Sequence, residues 1–184
     1  MQFIDLSKQQ KLIRENINAR IESVLDRGQY INGKEVFELE ELLASYVDKK
    51  HCISCSSGTD ALLISLMAYG IGPGDAVITT PFTYIATAEV IAILGATPIF
   101  VDIYEKTFNI NPDGIEKAIK FAKIQNLVPK AIIPVDLFGL PARYRLIHEV
   151  AKKHNLAVIE DFAQAFGGSI SGKKAGSFGD VSAT

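Results

Sequence analysis

The sequence predicts an α/β domain in three layers: a mostly parallel sheet with helices on both faces. Three observations carry this expectation. From Ala76 onward, short apolar runs alternate with segments of helical period, the pattern of βαβ units. The run Leu156-Ala157-Val158-Ile159 shows no polar–apolar alternation, as in a strand buried on both faces. That run then stops at two carboxylates, Glu160 and Asp161, at the carboxyl end of a strand, where open α/β sheets bind their ligands.

The elements follow in order. Residues Lys8 to Arg27 place Leu12, Ile13, Ile17, Ile21, Val24 and Leu25 at a helical period, and Gly28 ends the segment. After the turn-rich loop Gly28 to Gly33, a second helix is predicted from Lys34 to Val47. His51 to Cys55 reads as a strand, broken by Ser56-Ser57-Gly58-Thr59, and Asp60 to Tyr69 returns to helical spacing. Ala76 to Thr80 is predicted as a strand, Tyr84 to Leu94 as a helix and Thr97 to Asp102 as a strand. Asn111-Pro112 opens a helix running to Asn126, with Asn111 as N-cap and Pro112 at the first helical position. Lys130 to Val135, Arg143 to His154 and Leu156 to Ile159 continue the alternation as strand, helix and strand. Ser169 to Lys174 reads as a hairpin turning at Ser171-Gly172. Another strand begins within Gly176 to Thr184, so the domain reads as C-terminally incomplete.

Composition narrows the function. The 184 residues are 48% hydrophobic and 22% charged, enough for one sizeable soluble core. A net charge of −2 and a pI near 5.9 argue against a nucleic-acid partner. Met1 to Leu6 carries an Asp with no apolar segment after it, and no apolar run approaches a membrane span. A cytoplasmic protein with no membrane partner is expected. Cys52 and Cys55 have C-x-x-C spacing, but a zinc site needs four ligands and there is no second pair. They are expected as small apolar residues of a buried strand.

Three features carry chemistry. Ser57, Gly58 and Thr59 open a helix, where backbone N–H groups lack intrahelical partners and the dipole favours an anion. This suits a phosphate; the same residues also serve as a bare helix cap. No P-loop or dinucleotide glycine pattern is present. Pro81-Phe82-Thr83-Tyr84 follows a strand, and an aromatic there can lie on a flat ligand ring or simply pack the top of the core. Asp161 is an anion at a buried strand end, which requires a cationic partner or neutralises. A phosphate cradle, an aromatic plate and a buried aspartate at one sheet edge together fit pyridoxal phosphate. Its phosphate takes the helix terminus, and its pyridine nitrogen is kept protonated by the aspartate. Gln164 could donate to the ring hydroxyl. A metal or hydrolase site built from Asp102, Asp136 and Asp161 is the other chemistry available, but it leaves the aromatic plate and Gln164 unused.

Ser57-Gly58-Thr59-Asp60-Ala61-Leu62, Pro81-Phe82-Thr83-Tyr84, Pro98-Ile99-Phe100-Val101-Asp102, Glu160-Asp161-Phe162-Ala163-Gln164 and Gly176-Ser177-Phe178-Gly179-Asp180 resemble the DegT-type nucleotide-sugar aminotransferases, in order and over essentially the whole chain. The resemblance implies the large cofactor-binding domain of the type I aminotransferase fold. It implies that Gly58 and Thr59 hold the phosphate, Tyr84 stacks on the ring, Asp161 pairs with the ring nitrogen and Gln164 contacts the ring oxygen. Tyr30, Asn32 and Phe138 would border the sugar. Asp136 departs from the His often found in that family.

The family's Schiff-base lysine follows the position of Thr184, and its small C-terminal domain lies further on. The resemblance therefore implies residues 1–184 are the N-terminal part of the large domain, inactive alone. Lys173 and Lys174, in the hairpin, read as solvated surface charges. For the whole enzyme the implied reaction is amino transfer, from glutamate, to a keto group of a nucleotide-linked sugar in surface-polysaccharide synthesis, by a homodimer with a shared active site. Gly28 to Gly33 and Cys52 to Thr59 lean toward the subgroup acting on UDP-linked 3-keto N-acetylated uronic acids. A C4-keto or dTDP-sugar is the neighbouring alternative, and a non-catalytic cofactor-binding or dimerisation fragment is the alternative from another class.

Overall fold

Four apolar segments that the sequence marks as strands line up side by side and in parallel. In the computed structural model, which describes residues 4–184 and so leaves Met1 to Phe3 of the Met1 to Leu6 segment outside the described residues, β1 (Asp75–Thr79), β2 (Thr97–Phe100), β3 (Val128–Ile132) and β4 (Ala157–Asp161) join β7 (Val181–Ala183) in a five-stranded sheet of order β2-β1-β3-β4-β7. Every pairing within it is parallel. Residues Ser169–Ile170 (β5) and Lys173–Lys174 (β6) form the expected two-stranded antiparallel hairpin. Ser171 and Gly172, both at positive φ (52° and 80°), make its turn, the conformation that matches strand twist.

Strand parity explains the apolar runs. Ala76, Ile78, Ile132 and Val158 point to one face, where α5 (Pro112–Ile124) and α6 (Tyr144–His154) cover them with Ile115, Ile119 and Ile147. Val77, Ala131, Ile133 and Ile159 point to the other, under Leu62 and Leu66 of α3 (Gly58–Ala68) and Val90 and Ile91 of α4 (Ala86–Ile93). Each fully buried isoleucine or leucine contributes about 1.5–3 kcal/mol, so both helix layers are held by the same strands. Asn111 caps α5, its Oδ1 accepting the Asp113 N–H at 3.1 Å, with Pro112 in the first turn. The order of strands reverses between β1 and β3, and the loops at their carboxyl ends open there.

Two expectations are corrected. His51 to Cys55 forms no strand. No neighbouring strand accepts its backbone; instead Ser54 donates both N–H (2.7 Å) and hydroxyl (2.8 Å) to Glu40 Oε1. Its cysteines are accordingly not buried in a strand: Cys55 is exposed and Cys52 half-buried, both as free thiols. Helix α1 (Ser7–Arg27) forms as read and ends at Gly28 in the left-handed region, φ 65°. Its apolar stripe stays largely uncovered by the described residues: no α1 residue is buried, Val24 is half-buried and Leu12 is 85% exposed. Ion pairs Arg20–Glu38 and Arg27–Glu35 tie it to α2 (Lys34–Tyr46).

Candidate active site

The N-terminus of α3 is built by a reciprocal cap. Ser57 Oγ accepts the Asp60 N–H at 3.1 Å and lies 2.9 Å from Asp60 Oδ2, with Ser56 Oγ on the same oxygen. Those hydroxyls hold the Asp60 carboxyl below its usual range. Ser57 is thereby occupied as the cap. The backbone N–H groups of Gly58 and Thr59 are left without a protein partner among the described residues, at the positive end of the helix dipole. A Cβ on Gly58 would stand 3.2 Å from the backbone carbon of Thr184, so the glycine keeps the space between the helix start and the end of β7 open.

Asp161 ends β4 and is 6% exposed. Thr87, in the first turn of α4, donates its hydroxyl to Asp161 Oδ2 at 2.8 Å, and that hydroxyl also lies 3.3 Å from the Tyr84 carbonyl. Asp161 Oδ1 receives only a long contact from the Ala163 N–H, 3.4 Å. Burial pushes the Asp161 carboxyl above its ordinary value, against the Thr87 hydrogen bond. No lysine or arginine bonds to it among the described residues. A protonated ring nitrogen is the partner that would restore its charge.

Gln164 is exposed, and its Oε1 accepts the Phe138 N–H at 2.9 Å. That contact fixes the amide, leaving Nε2 as the outward donor. Phe138 sits in the 3₁₀ turn Leu137–Gly139 at φ 55°, 70% exposed, its ring edge-on to Phe82 (6.5 Å) and Phe108 (6.0 Å). Tyr84 is exposed at 71%, and through Thr87 its backbone is tied to Asp161. Tyr30 and Asn32 lie in the loop between α1 and α2, where Gln29 Nε2 donates to the Asn32 carbonyl; among the described residues no hydrogen bond or ring contact brings them to Asp161 or Phe138. Lys174 Nζ stacks over the Tyr46 ring at 3.5 Å, in the hairpin. Among the described residues no group of three or more His, Cys, Asp or Glu could hold a metal, so Asp102, Asp136 and Asp161 do not gather into such a group. No helix among them is long and apolar enough to cross a membrane.

Two groups escaped the sequence reading. Thr87 is a first-turn hydroxyl of α4 with no motif around it. Glu160, fully buried, accepts from the N–H groups of Gly176 (2.7 Å), Phe178 and Gly179 (2.8 Å each) and from Ser182 Oγ (2.8 Å). The glycines of Gly176-Ser177-Phe178-Gly179 were the available signal. A Cβ at Gly179 would meet the Val181 carbonyl at 2.3 Å and Glu160 at 2.8 Å, so that segment exists to wrap a carboxylate.

Unpaired donors at α3, an under-bonded aspartate at β4 and the outward amide of Gln164 fit the phosphate, ring nitrogen and ring oxygen of pyridoxal phosphate. Solved structures agree on the class. A DegT DnrJ EryC1 StrS aminotransferase from Brucella abortus superposes with a TM-score of 0.96 at 48% identity, over 99% of this chain and 49% of that one. NtdA from Bacillus subtilis, solved with bound cofactor PMP, matches with a TM-score of 0.79 at 38% identity, over 88% of this chain and 36% of that one. The fold is that of the pyridoxal-phosphate aminotransferases. The chain belongs to the DegT/DnrJ/EryC1/StrS aminotransferase family, which it matches over residues 11–184. Aminotransferases of that family depend on pyridoxal phosphate. Over all 184 residues the chain is 50% identical to half of the UDP-2-acetamido-2-deoxy-3-oxo-D-glucuronate aminotransferase of Pseudomonas aeruginosa. It spans about half the length of the curated relatives it matches.

Proposed function

We propose that this chain supplies the cofactor-holding part of a pyridoxal-phosphate aminotransferase that moves an amino group from glutamate to the 3-keto group of a UDP-linked N-acetylated uronic acid, for surface-polysaccharide synthesis. The observation that carries the reading is Asp161, a carboxylate buried at a strand end with an under-used oxygen and no cation from the chain. The identity to the Pseudomonas relative supports the choice of sugar.

When bound, the cofactor supplies an electron sink for a carbanion at the amino-bearing carbon. The chain's residues do the rest of what is assigned here. Gly58 and Thr59 N–H groups hold the phosphate. Asp161 keeps a proton on the ring nitrogen, and Thr87 orients the carboxyl that does so. Gln164 Nε2 meets the ring oxygen, Tyr84 covers the ring face, and Phe138 borders the sugar. Ser57 acts through the cap, shaping the helix start rather than touching phosphate. None of these residues is a lysine, and Lys173 and Lys174 stay in the hairpin. A homodimer in the cytoplasm completes the proposal.

The test is Asp161→Asn in the full-length protein, which keeps the shape and the Thr87 contact but cannot hold a ring proton by charge. Parent protein is expected to convert the UDP-linked keto sugar with glutamate, releasing one 2-oxoglutarate per amino sugar by mass spectrometry. Asp161→Asn should cut that rate by at least about a thousandfold, as loss of a preorganised electrostatic group does, with circular dichroism unchanged. Near-parental turnover in the variant would remove Asp161 from the chemistry, and a parent that aminates no keto sugar would remove the reaction.

A further inference from the structure

Asn109 belongs to none of the sequence motifs, lies in the loop after β2 and is 3% exposed. Its side chain bridges the turn that carries Phe138. Oδ1 accepts the Leu137 N–H at 3.0 Å, and Nδ2 donates to the Leu140 carbonyl at 2.8 Å. Between those two anchors Phe138 is held at φ 55°, and Phe108, the residue before Asn109, is at φ 60°. A bulky residue in that region is strained and persists only where its surroundings over-determine it.

The surroundings do so here. Besides Asn109, Asp136 Oδ1 anchors the far side of the turn through the Ala142 N–H at 2.8 Å, and the Phe108 ring packs edge-on to Phe138. The Phe138 ring itself is in no core cluster and is 70% exposed, so the strain does not serve to bury that side chain. Its consequence is directional: the Phe138 N–H is aimed at Gln164 Oε1, 2.9 Å away. With the oxygen engaged, the amide can offer only Nε2 outward. Were the turn to relax to ordinary φ, that N–H would swing off and Gln164 would be free to present either atom.

We propose that Asn109 is a positioning residue: by clamping both ends of the Phe138 turn it fixes the amide of Gln164, and so makes a hydrogen-bond donor, rather than an acceptor, face the cofactor's ring oxygen. This rests on the cofactor reading above. It assigns to a buried residue outside the site the job of choosing which end of Gln164 meets the ligand.

A double-mutant cycle on cofactor binding tests it, using full-length apoprotein titrated with pyridoxal phosphate and followed by visible absorption, with no turnover needed. Gln164→Ala should weaken binding about tenfold and Asn109→Ala about as much, within the range measured for coupled neighbours. In the Gln164→Ala background, Asn109→Ala should then add less than about twofold, since its effect passes through a group already removed. Losses that multiply to about a hundredfold in the double variant, or an Asn109→Ala protein that binds like the parent while Gln164→Ala does not, overturn the positioning role alone. A Gln164→Ala protein that binds like the parent overturns the cofactor contact of Gln164, and the inference with it. If Asn109→Ala does not fold, Asn109→Asp, isosteric and keeping the Oδ1 acceptor while losing the donor to Leu140, goes through the same cycle with the same criteria.

Discussion

Replacing Asp136 by asparagine should flatten the pH dependence of stability. Asp136 has no exposed surface. Its Oδ1 accepts the Ala142 N–H and the Tyr144 hydroxyl, each at 2.8 Å, while Oδ2 is buried with no partner. Burial first, then the neighbouring charge of Glu160, push its pKa up to about 8, against the hydrogen bonds from Ala142 and Tyr144. The titratable groups facing it are Tyr144 on α6, with His148 beyond that ring, and Glu160 and Asp161 on β4. The folded value lies above the unfolded value of 3.8, so the native state holds a proton that the unfolded chain releases in between. Its contribution to stability is complete below 3.8 and is lost as pH rises to about 8. A gap of roughly 4 units corresponds to about 6 kcal/mol, or a thermal midpoint change on the order of 10–20 °C for a domain this size. Asparagine keeps Oδ1 for both donors and puts an N–H where the acid carries its proton. Melting of parent and Asp136→Asn should therefore agree near pH 4, and the variant should be the more stable by several degrees or more at pH 8.5. Every other side chain is common to both proteins, so the difference curve reports the loss of this carboxyl together with its coupling to Glu160 and Tyr144. A variant that tracks the parent across the whole range, or falls below it at pH 8.5, refutes the reasoning.

Two further outcomes follow from the same geometry. Glu160→Gln replaces one of two acceptor oxygens by an amino group facing donors from Gly176, Phe178, Gly179 and Ser182; stranded buried donors cost about 1–3 kcal/mol each, so the urea midpoint should drop clearly, and an unchanged midpoint counts against the nest. Thr87→Val deletes the hydroxyl on Asp161 Oδ2. The Asp161 carboxyl should then move further up, and cofactor affinity should fall several-fold with a steeper loss toward low pH, about 1 kcal/mol for the missing bond; a binding curve identical to the parent's at every pH removes Thr87 from the site.

Much of the sheet was legible because both of its signals are local. A doubly buried strand shows as an unbroken apolar run, and Asn111-Pro112 or Ser171-Gly172 announce a cap and a turn by backbone chemistry that needs no partner. His51 to Cys55 has the same β-forming residues, yet a strand exists only where another strand takes its backbone, and Glu40 takes it instead. The stripe of α1 shows the converse limit: period marks a face that could be covered, not what covers it. Asp161, Gly58 and Thr59 were readable because they sit at predictable ends of elements. Thr87 and Asn109 were not, since their partners lie 74 and 28 or more residues away and only the folded topology brings them together.

The pair Glu160-Asp161 shows how one strand end assigns two adjacent carboxylates to different work. Neighbours along a strand point to opposite faces, and Val158 and Ile159 already divide between the α5–α6 layer and the α3–α4 layer. Continuing that parity sends Asp161 to the α3–α4 side, where Thr87 of α4 meets it. Glu160 goes the other way, into a nest of four donors that leaves its charge no unmet demand. Saturation makes Glu160 a fastener for the Gly176–Ser182 segment, and so for β7. Under-bonding on the face of the α3 terminus makes Asp161 the group still needing a cation. Sequence composition treats the two as equals; the two-residue repeat of the strand is what separates the saturated carboxylate from the under-bonded one. Moving the strand by one residue would exchange their faces and put the under-bonded carboxylate on the α5–α6 side.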